Sequence, residues 1–294
     1  MAKRTNERLK ALGVEAVVYT VEYADDCTGV CTGATEIDLQ IALIIISEEF
    51  NRFYCKVGLK QNCEKSEILP VRRMKKSFEL QVGDVKESEK IKLLGLTVQA
   101  GLRFEAHIEN VSRSVRAKIH ELYKVQHVMS FSLLKRTVEA LCLSKIFYAM
   151  EIYNNTAEIS KSIQRLMNIA LRLVCHGDMR SRVSVMLEKT GWLNSTNKTA
   201  LLRLMMLRKI LLTRACPVTW SKIRRGSVHH HNTRDVSINL TWNPISAFSL
   251  NSFLQMSVKL WNLLQLYTWN ILSKSSMKKN LPPEICRRFG NSNL

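Results

Sequence analysis

No stretch of this chain is apolar enough to cross a bilayer. The longest apolar run is Ile41 to Ile46, against the ~20 residues that a spanning helix needs. A secretory signal is not expected either, because the basic start leads only into the short patch Ala16 to Val18, with no apolar h-region. The eight cysteines, at 27, 31, 55, 63, 142, 175, 216 and 286, contain no Cys-x-x-Cys pair. Scattered thiols without a leader are expected to be free. The protein is therefore expected to be intracellular, in nucleus or cytoplasm, not secreted and without a membrane partner. A zinc centre also lacks its ligand order. Cys27 and Cys31 stand four apart in a strand region, where that spacing suits one ion poorly, and Cys175-His176 and His229-His230-His231 complete no Cys-x-x-Cys…His…Cys pattern. The histidine run reads as a polar loop. The sequence shows no internal repeat and no long low-complexity tract.

What is abundant is positive charge, and it is one-sided. The 294 residues are 46% hydrophobic, enough to bury a sizeable core over two domains. Lys and Arg number 15 and Asp and Glu 15 in residues 1–100, against 29 and 10 in residues 101–294, so the second segment carries the whole net charge of +19. A neutral segment followed by a basic one suits a site beside a polyanion clamp, and nucleic acid is the expected partner.

The neutral segment holds the sharpest pattern. A β-branched run, Val17 to Val21, ends in Glu22-Tyr23-Ala24-Asp25-Asp26, and a second strand-like run, Cys27 to Val30, follows at once. This predicts a hairpin with two aspartates at its tip. Neighbouring side chains diverge along a strand, so two hard oxygen donors reach one divalent cation only where the chain turns. Like charges this close raise each other's pKa unless a cation neutralises them.

Around the hairpin the pattern is α+β. Thr35 with Asp38 resembles a capping box, and a helix is predicted to run to about Tyr54, burying Ile37, Ile41, Ile44, Ile45 and Phe53 and closing at Gly58. Short strands are predicted at Glu67 to Val71, Phe78 to Val82 and Ile91 to Val98, the last two separated by a polar turn from Gly83 to Lys90. From His107 the period becomes helical: Ile108, Val111, Val115, Ile119 and Leu122 recur at steps of three and four. Further helices are predicted at Leu133–Met150, Ile159–Val174, Arg182–Lys189, Asn197–Ala215 (ended by Cys216-Pro217) and Ala247 to about Leu266. Residues 218–245 read as a polar basic loop region, and the tail from Ser273 as mobile. The tryptophans at 192, 220, 242, 261 and 269 all lie in the basic part and are expected to be core anchors more than stacking platforms.

The string Tyr23-Ala24-Asp25-Asp26 resembles motif C, the YADD box, of reverse transcriptases, and similar boxes follow in order. Gly58-Leu59-Lys60-Gln61-Asn62-Cys63-Glu64-Lys65-Ser66-Glu67 resembles the motif D string "GL..N..KTE" of the retrotransposon enzymes, with Ser66 for Thr. Lys92-Leu93-Leu94-Gly95-Leu96 is similar to their "FLG" motif E, with Leu for Phe. Phe104, His107, Ile108 and Val111 match "F..HI..V" at the start of the thumb helices. Ile163 to Arg172 resembles the "LQ...N.ALR" helix of Jockey-like non-LTR elements, and Ser252-Phe253 with Leu260-Trp261-Asn262 their C-terminal "SF...A..LWN.LP", with Leu264 for Pro. Together the boxes cover about residues 17 to 264.

The resemblance implies a LINE-type RNA-directed DNA polymerase: a partial palm in 1–104, a helical thumb and connection in 105–216, and a basic loop region, C-terminal helix and tail in 217–294. It implies nucleotidyl transfer with two Mg²⁺ ions, deoxynucleotides as substrates, and an RNA template with a DNA primer as partners. Asp25 would bind metal, supported by Asp26. Tyr23 and Ala24 would lie beneath the nucleotide and primer end. Lys65 would protonate the leaving pyrophosphate, and the Leu94-Gly95 turn would grip the primer, Gly allowing close backbone approach. Arg113, Arg116 and Lys118, then Arg203, Arg208 and Lys209, then Lys222, Arg224 and Arg225 would contact nucleic acid.

The chain also departs from the family. No Asp precedes Asp25, so motif A has no counterpart, and Pro70 is the first proline, so neither has motif B, "G.PQGS". The expectation is a C-terminal half that is inactive alone, with one strand edge and one apolar face left open and poor solubility as a result. The alternatives are a non-catalytic nucleic-acid-binding remnant and a helical protein-interaction scaffold.

Overall fold

The computed structural model describes residues 1–71, 79–214, 216, 219, 223–225, 240–241 and 253–263. Phe78, Lys222, Trp220, Trp242, Trp269, the histidine run at 229–231 and the tail from Ser273 lie outside them. The chain divides into two units, Met1–His107 and Ile108–Leu294. It is mostly helical, with small antiparallel two-stranded sheets, so the coarse α+β class holds.

The first unit opens with a helix that the sequence pattern does not announce, α1 (Ala2–Ala11). It is polar apart from Leu9, which is fully buried, so it has no apolar period to be read. Strands β1 (Ala16–Tyr23) and β2 (Asp26–Gly33) then form the expected hairpin, with Tyr23 opposite Asp26. Helix α2 (Glu36–Lys56) starts at the expected capping box: the Thr35 hydroxyl accepts from the Asp38 N–H at 3.1 Å, and the Asp38 carboxylate accepts from the Thr35 N–H at 3.2 Å.

The packing of α2 differs from the expectation. Ile37 and Ile44 are exposed and Phe53 lies at the surface, while Ala42, Ile45, Ile46 and Glu49 are buried. An all-round apolar helix carries no sign of which face will be covered; here Leu9 of α1 and Val18 of β1 decide it. Gly29 allows the close approach, since a Cβ there would collide with the Ile46 side chain. Glu49, 4% exposed, is held by Arg52 at 2.6 Å and by Arg8 and Arg4 of α1 at 2.8 and 3.5 Å. Burial opposes its ionisation, but the Arg8 hydrogen bond and the charges of Arg4, Arg52 and Arg8 outweigh this and hold its pKa below the ordinary value.

Between 81 and 99 the expected single strands are tight hairpins. β3 (Gln81–Val82) pairs with β4 (Val85–Lys86), so 83–90 is not one turn, and β5 (Lys90–Leu93) pairs with β6 (Leu96–Gln99) around Leu94-Gly95. Residues 67–71 form no strand; Ile68 makes one bridge to Glu87.

Helix α3 (Glu105–Val125) runs on from the first unit. The five residues of its predicted stripe, Ile108, Val111, Val115, Ile119 and Leu122, are all buried. The predicted 133–150 helix is interrupted. α4 (Phe131–Val138) passes through a π-helical turn, Glu139–Leu143, into α5 (Ser144–Phe147), and a left-handed Ala149 precedes α6 (Met150–Tyr153). α7 (Ala157–Cys175), α8 (Val183–Thr190) and α9 (Ser195–Thr213) follow the predicted spans to within two residues. Helix α9 stops at a left-handed Arg214, before Cys216-Pro217. The 218–245 region contains a short ladder, β7 (Arg224–Arg225) with β8 (Leu240–Thr241). It packs with α9 and α10 (Phe253–Leu263) around Leu204, Leu207 and Trp261.

Candidate metal and nucleic-acid sites

The two aspartates sit where the sequence placed them. Asp25 is the second residue of the two-residue turn and Asp26 opens β2; both are exposed. The turn has its positive φ on Ala24, at 53°. The opposed pairs alternate between the two faces of the ladder. Ala16, Val18, Thr20, Glu22, Cys27, Gly29, Cys31 and Gly33 therefore share the face covered by α2, while Val17, Tyr19, Val21, Tyr23, Asp26 and Val30 share the other. On that second face Tyr19 is 44% exposed and Tyr23 66%. Among the described residues no third strand pairs with either edge of this sheet. At Val18 the β1 edge is blocked instead by Asn6, whose amide donates to the Val18 carbonyl and accepts its N–H, both at 2.8 Å. Among the described residues, nothing pairs with the outer edge of β2, and the face of Val17, Tyr19, Val21, Tyr23 and Val30 is exposed.

A magnesium ion usually keeps several waters and takes one or two protein carboxylates together with substrate phosphates. Asp25 and Asp26 suffice for that mode but not for an all-protein cage. No group of three or more His, Cys, Asp or Glu side chains gathers around one point among the described residues. Lys10 and Arg52 bracket a stretch with no Lys or Arg between them, so the tip has no basic sequence neighbour.

Tyr54, which no sequence motif singles out, belongs to this region. Its phenol lies near the Cys27 thiol. Burial first, then Cys27, Glu22 and Asp26, push its pKa far above the ordinary phenol value. The signal was present as the spacing Ile46, Phe50, Tyr54, but it is readable only once the covered face of α2 is known. Cys31, on the same sheet face, is pushed up to about 11 by burial.

Lys65 is exposed at the end of a short 3₁₀ turn, Cys63–Lys65, held by Asn62. No hydrogen bond or ion pair joins it to Asp25 or Asp26 among the described residues. Leu94 and Gly95 do form a turn, with φ of 46° and 86°, the double-positive pattern of a type I′ hairpin. This hairpin docks onto the start of α3: Gln99 accepts from the Ala106 N–H at 2.7 Å, and His107 Nδ1 accepts from the Thr97 N–H at 3.3 Å. Burial lowers the pKa of His107.

The basic residues divide sharply. On α3, Arg113 and Arg116 are exposed, and the solvent face continues through His120 and Lys124, which the family resemblance does not mark. Steps of three and four put these four on one stripe, about 4.5–6 Å apart along the helix. Lys118 lies off that stripe, paired with Glu121 at 2.9 Å. Arg203 corrects the expectation from sequence. It is 6% exposed, and its guanidinium donates to the Glu151 and Asn154 carbonyls at 3.1 and 2.8 Å. It caps the C-terminal carbonyls of α6 instead of facing solvent, and burial pushes its pKa down to about 10. Arg208 is half-buried and Lys209 exposed. Arg224 and Arg225 lie in β7; Lys222 is outside the described residues.

Several polar residues of the resembling boxes have structural partners. Gln164 bonds Asn168 and accepts the Ser195 N–H at the start of α9, each at 2.8 Å. Asn262 pairs with the backbone of Leu240 through both amide atoms, at 2.8 and 2.9 Å, as Asn6 does with Val18. Trp261 is a core anchor at 3% exposure, and Trp192 donates to Glu139 at 2.7 Å. No helix of the described residues is long and apolar enough to cross a membrane. Comparison with known proteins finds no matching family model, no matching curated protein and no matching solved structure.

Proposed function

We propose that this chain is the C-terminal part of a LINE-type reverse transcriptase, carrying the metal-binding hairpin and the helices that hold nucleic acid. The observation that carries the reading is that Tyr23-Ala24-Asp25-Asp26 closes a two-residue β-turn with both carboxylates exposed at its tip. Similar boxes follow it in the family's order. Asp25 and Asp26 would hold Mg²⁺, which when bound would activate the primer 3′-hydroxyl and neutralise the leaving pyrophosphate. Tyr23 beside them would support the primer end, Lys65 would serve as proton donor, and Leu94-Gly95 would grip the primer backbone. Because no aspartate precedes Asp25 in these residues, the pair cannot fix both ions in line with the reacting phosphate. The chain by itself is proposed to be inactive. Incubated with a primed RNA template, Mg²⁺ and deoxynucleotides, it is expected to give no extension product. Template-dependent extension that Asp25→Ala abolishes would overturn the proposed inactivity and leave the family reading standing.

A second reading, a nucleic-acid-binding remnant without catalysis, is favoured by the α3 stripe. Arg113 and Arg116 are exposed, and residues 101–294 carry the entire net charge of +19. Binding to RNA or an RNA–DNA hybrid should weaken as salt rises, by about 0.7 in log–log slope per phosphate contact on single strands. Sequence preference should be slight, since dispersed Lys and Arg meet backbone and not base edges. Salt-independent binding in an anisotropy titration would remove this reading.

A further inference from the structure

The solvent face of α3 carries an aromatic ring among its cations. At 3.6 residues per turn and 1.5 Å per residue, Arg113, Arg116, His120 and Lys124 span ~80° of the helix circumference and ~17 Å of its length, and Tyr123 lies ~20° from Arg116 at the edge of the same arc. All five are exposed, Tyr123 to 41%. The opposite face is the buried stripe from Ile108 to Leu122. On the flank, Lys118 pairs with Glu121 at 2.9 Å, and the Ser114 hydroxyl accepts from Lys145 of α5 at 2.7 Å. Glu109, exposed on the arc one turn before Arg113, bounds the cationic face at its N-terminal end. Cations near a helix C-terminus also complement the helix dipole, but that role gives no reason for an exposed ring beside them.

We propose that this face of α3 is a single-strand nucleic-acid site, in which Arg113, Arg116 and Lys124 meet phosphates of one strand and the ring of Tyr123 stacks on an unpaired base. The proposal deepens the reading of the chain as a nucleic-acid binder and rests on it. Charge complementarity selects a polyanion, since Arg113, Arg116 and Lys124 are permanent cations and His120, between the last two, adds another when protonated. The ring selects the single strand. Bases inside a duplex are already stacked on one another, whereas an unpaired base offers a free face, and stacking on an aromatic side chain tolerates any base because each has a π-face. The arrangement presents phosphate contacts and one ring, with no group set against a base edge or the sugar 2′-hydroxyl. RNA and DNA single strands should therefore bind alike and with little sequence preference.

The test uses the full chain in anisotropy titrations with oligo(U), oligo(dT) and an RNA–DNA hybrid duplex of the same length. Tyr123→Ala is expected to weaken binding of both single strands by about 5-fold or more, with duplex binding and the salt slope unchanged. Tyr123→Phe, which keeps the ring, should behave as the parent, and Tyr123→Leu, which keeps apolar bulk without the ring, as the alanine variant. Tyr19→Ala is the control: this tyrosine is as exposed, at 44%, but lies in a stretch with no Lys or Arg, and its loss should change neither affinity. Ultraviolet irradiation of the parent with a single strand carrying 5-iodouracil should give a cross-link at Tyr123. Unchanged single-strand binding in Tyr123→Ala, equal losses for single strand and duplex, or a cross-link that maps outside α3 would overturn the proposal, while salt-dependent binding by the parent would leave the wider reading standing. A parent that shows no salt-dependent binding to any of the three ligands would overturn both.

Discussion

The two units place their apolar side chains in opposite ways. In the first, Val17, Tyr19, Val21, Tyr23 and Val30 form one continuous face of the β1–β2 hairpin and remain 44–66% exposed. In the second, Ile163, Met167, Ala170, Leu171, Leu173 and Val174 of α7 are 0% exposed. A two-stranded sheet has two faces, and α1 and α2 cover only one of them. Helix α7 has neighbours on several sides, α4, α8 and α9 among them. Charge divides the same way, with a net of zero in residues 1–100 and +19 in residues 101–294. A hairpin with an uncovered apolar face and an acidic tip is suited to being completed by something else. In the helical unit Arg113, Arg116 and Lys209 face solvent, whereas Arg203 turns inward.

The largest effects should come from the helical core. Leu171→Ala is expected to cost about 2–5 kcal/mol in chemical denaturation, whereas Val21→Thr on the open hairpin face should change stability by under about 0.5 kcal/mol. Equal costs would mean that the open face is covered in solution.

Next come the two kinds of arginine. Arg203→Ala is expected to destabilise by about 3 kcal/mol, since it leaves buried carbonyls of α6 unpaired and opens a cavity, with the salt slope of RNA binding unchanged. Arg113→Glu with Arg116→Glu should do the reverse: stability within about 0.5 kcal/mol and a slope shallower by about 0.7 for each phosphate that is no longer neutralised. A shallower slope in Arg203→Ala would put that side chain back among the groups that bind nucleic acid.

Glu49→Gln should cost about 1–3 kcal/mol, moderated because the three arginines remain partly in water. The folded-state pKa of Glu49 is depressed. Its contribution is therefore present above the unfolded value, near 4.3, and is lost as pH falls through the lower folded one. The gap between parent and variant should close on acidification below about pH 4. A gap that stays constant into acid would show that the arginines do not stabilise the carboxylate.

The smallest change concerns the turn. A non-glycine residue with φ of 53° is strained, so Ala24→Gly is expected to stabilise by up to about 1 kcal/mol, read as a small rise in thermal midpoint. A fall would mean that the Ala24 methyl makes a contact worth more than the relief.

By itself the sequence determined what depends on near neighbours. The hairpin follows from a β-branched run with a polar break, the start of α2 from Thr35 and Asp38 three residues apart, and the buried stripe of α3 from an unbroken three-four period. Each is settled within one turn or one strand pair. Tertiary structure decided the rest. The face of α2 that is buried depended on α1, whose polar sequence hides it. The inward turn of Arg203 depended on carbonyls about fifty residues away at Glu151 and Asn154. The placing of Tyr54 near Cys27, Glu22 and Asp26 depended on how α2 lies across β2. A charged or aromatic side chain reads the same in sequence whether it meets water, a carbonyl or a thiol, and only the folded chain brings one of these to it.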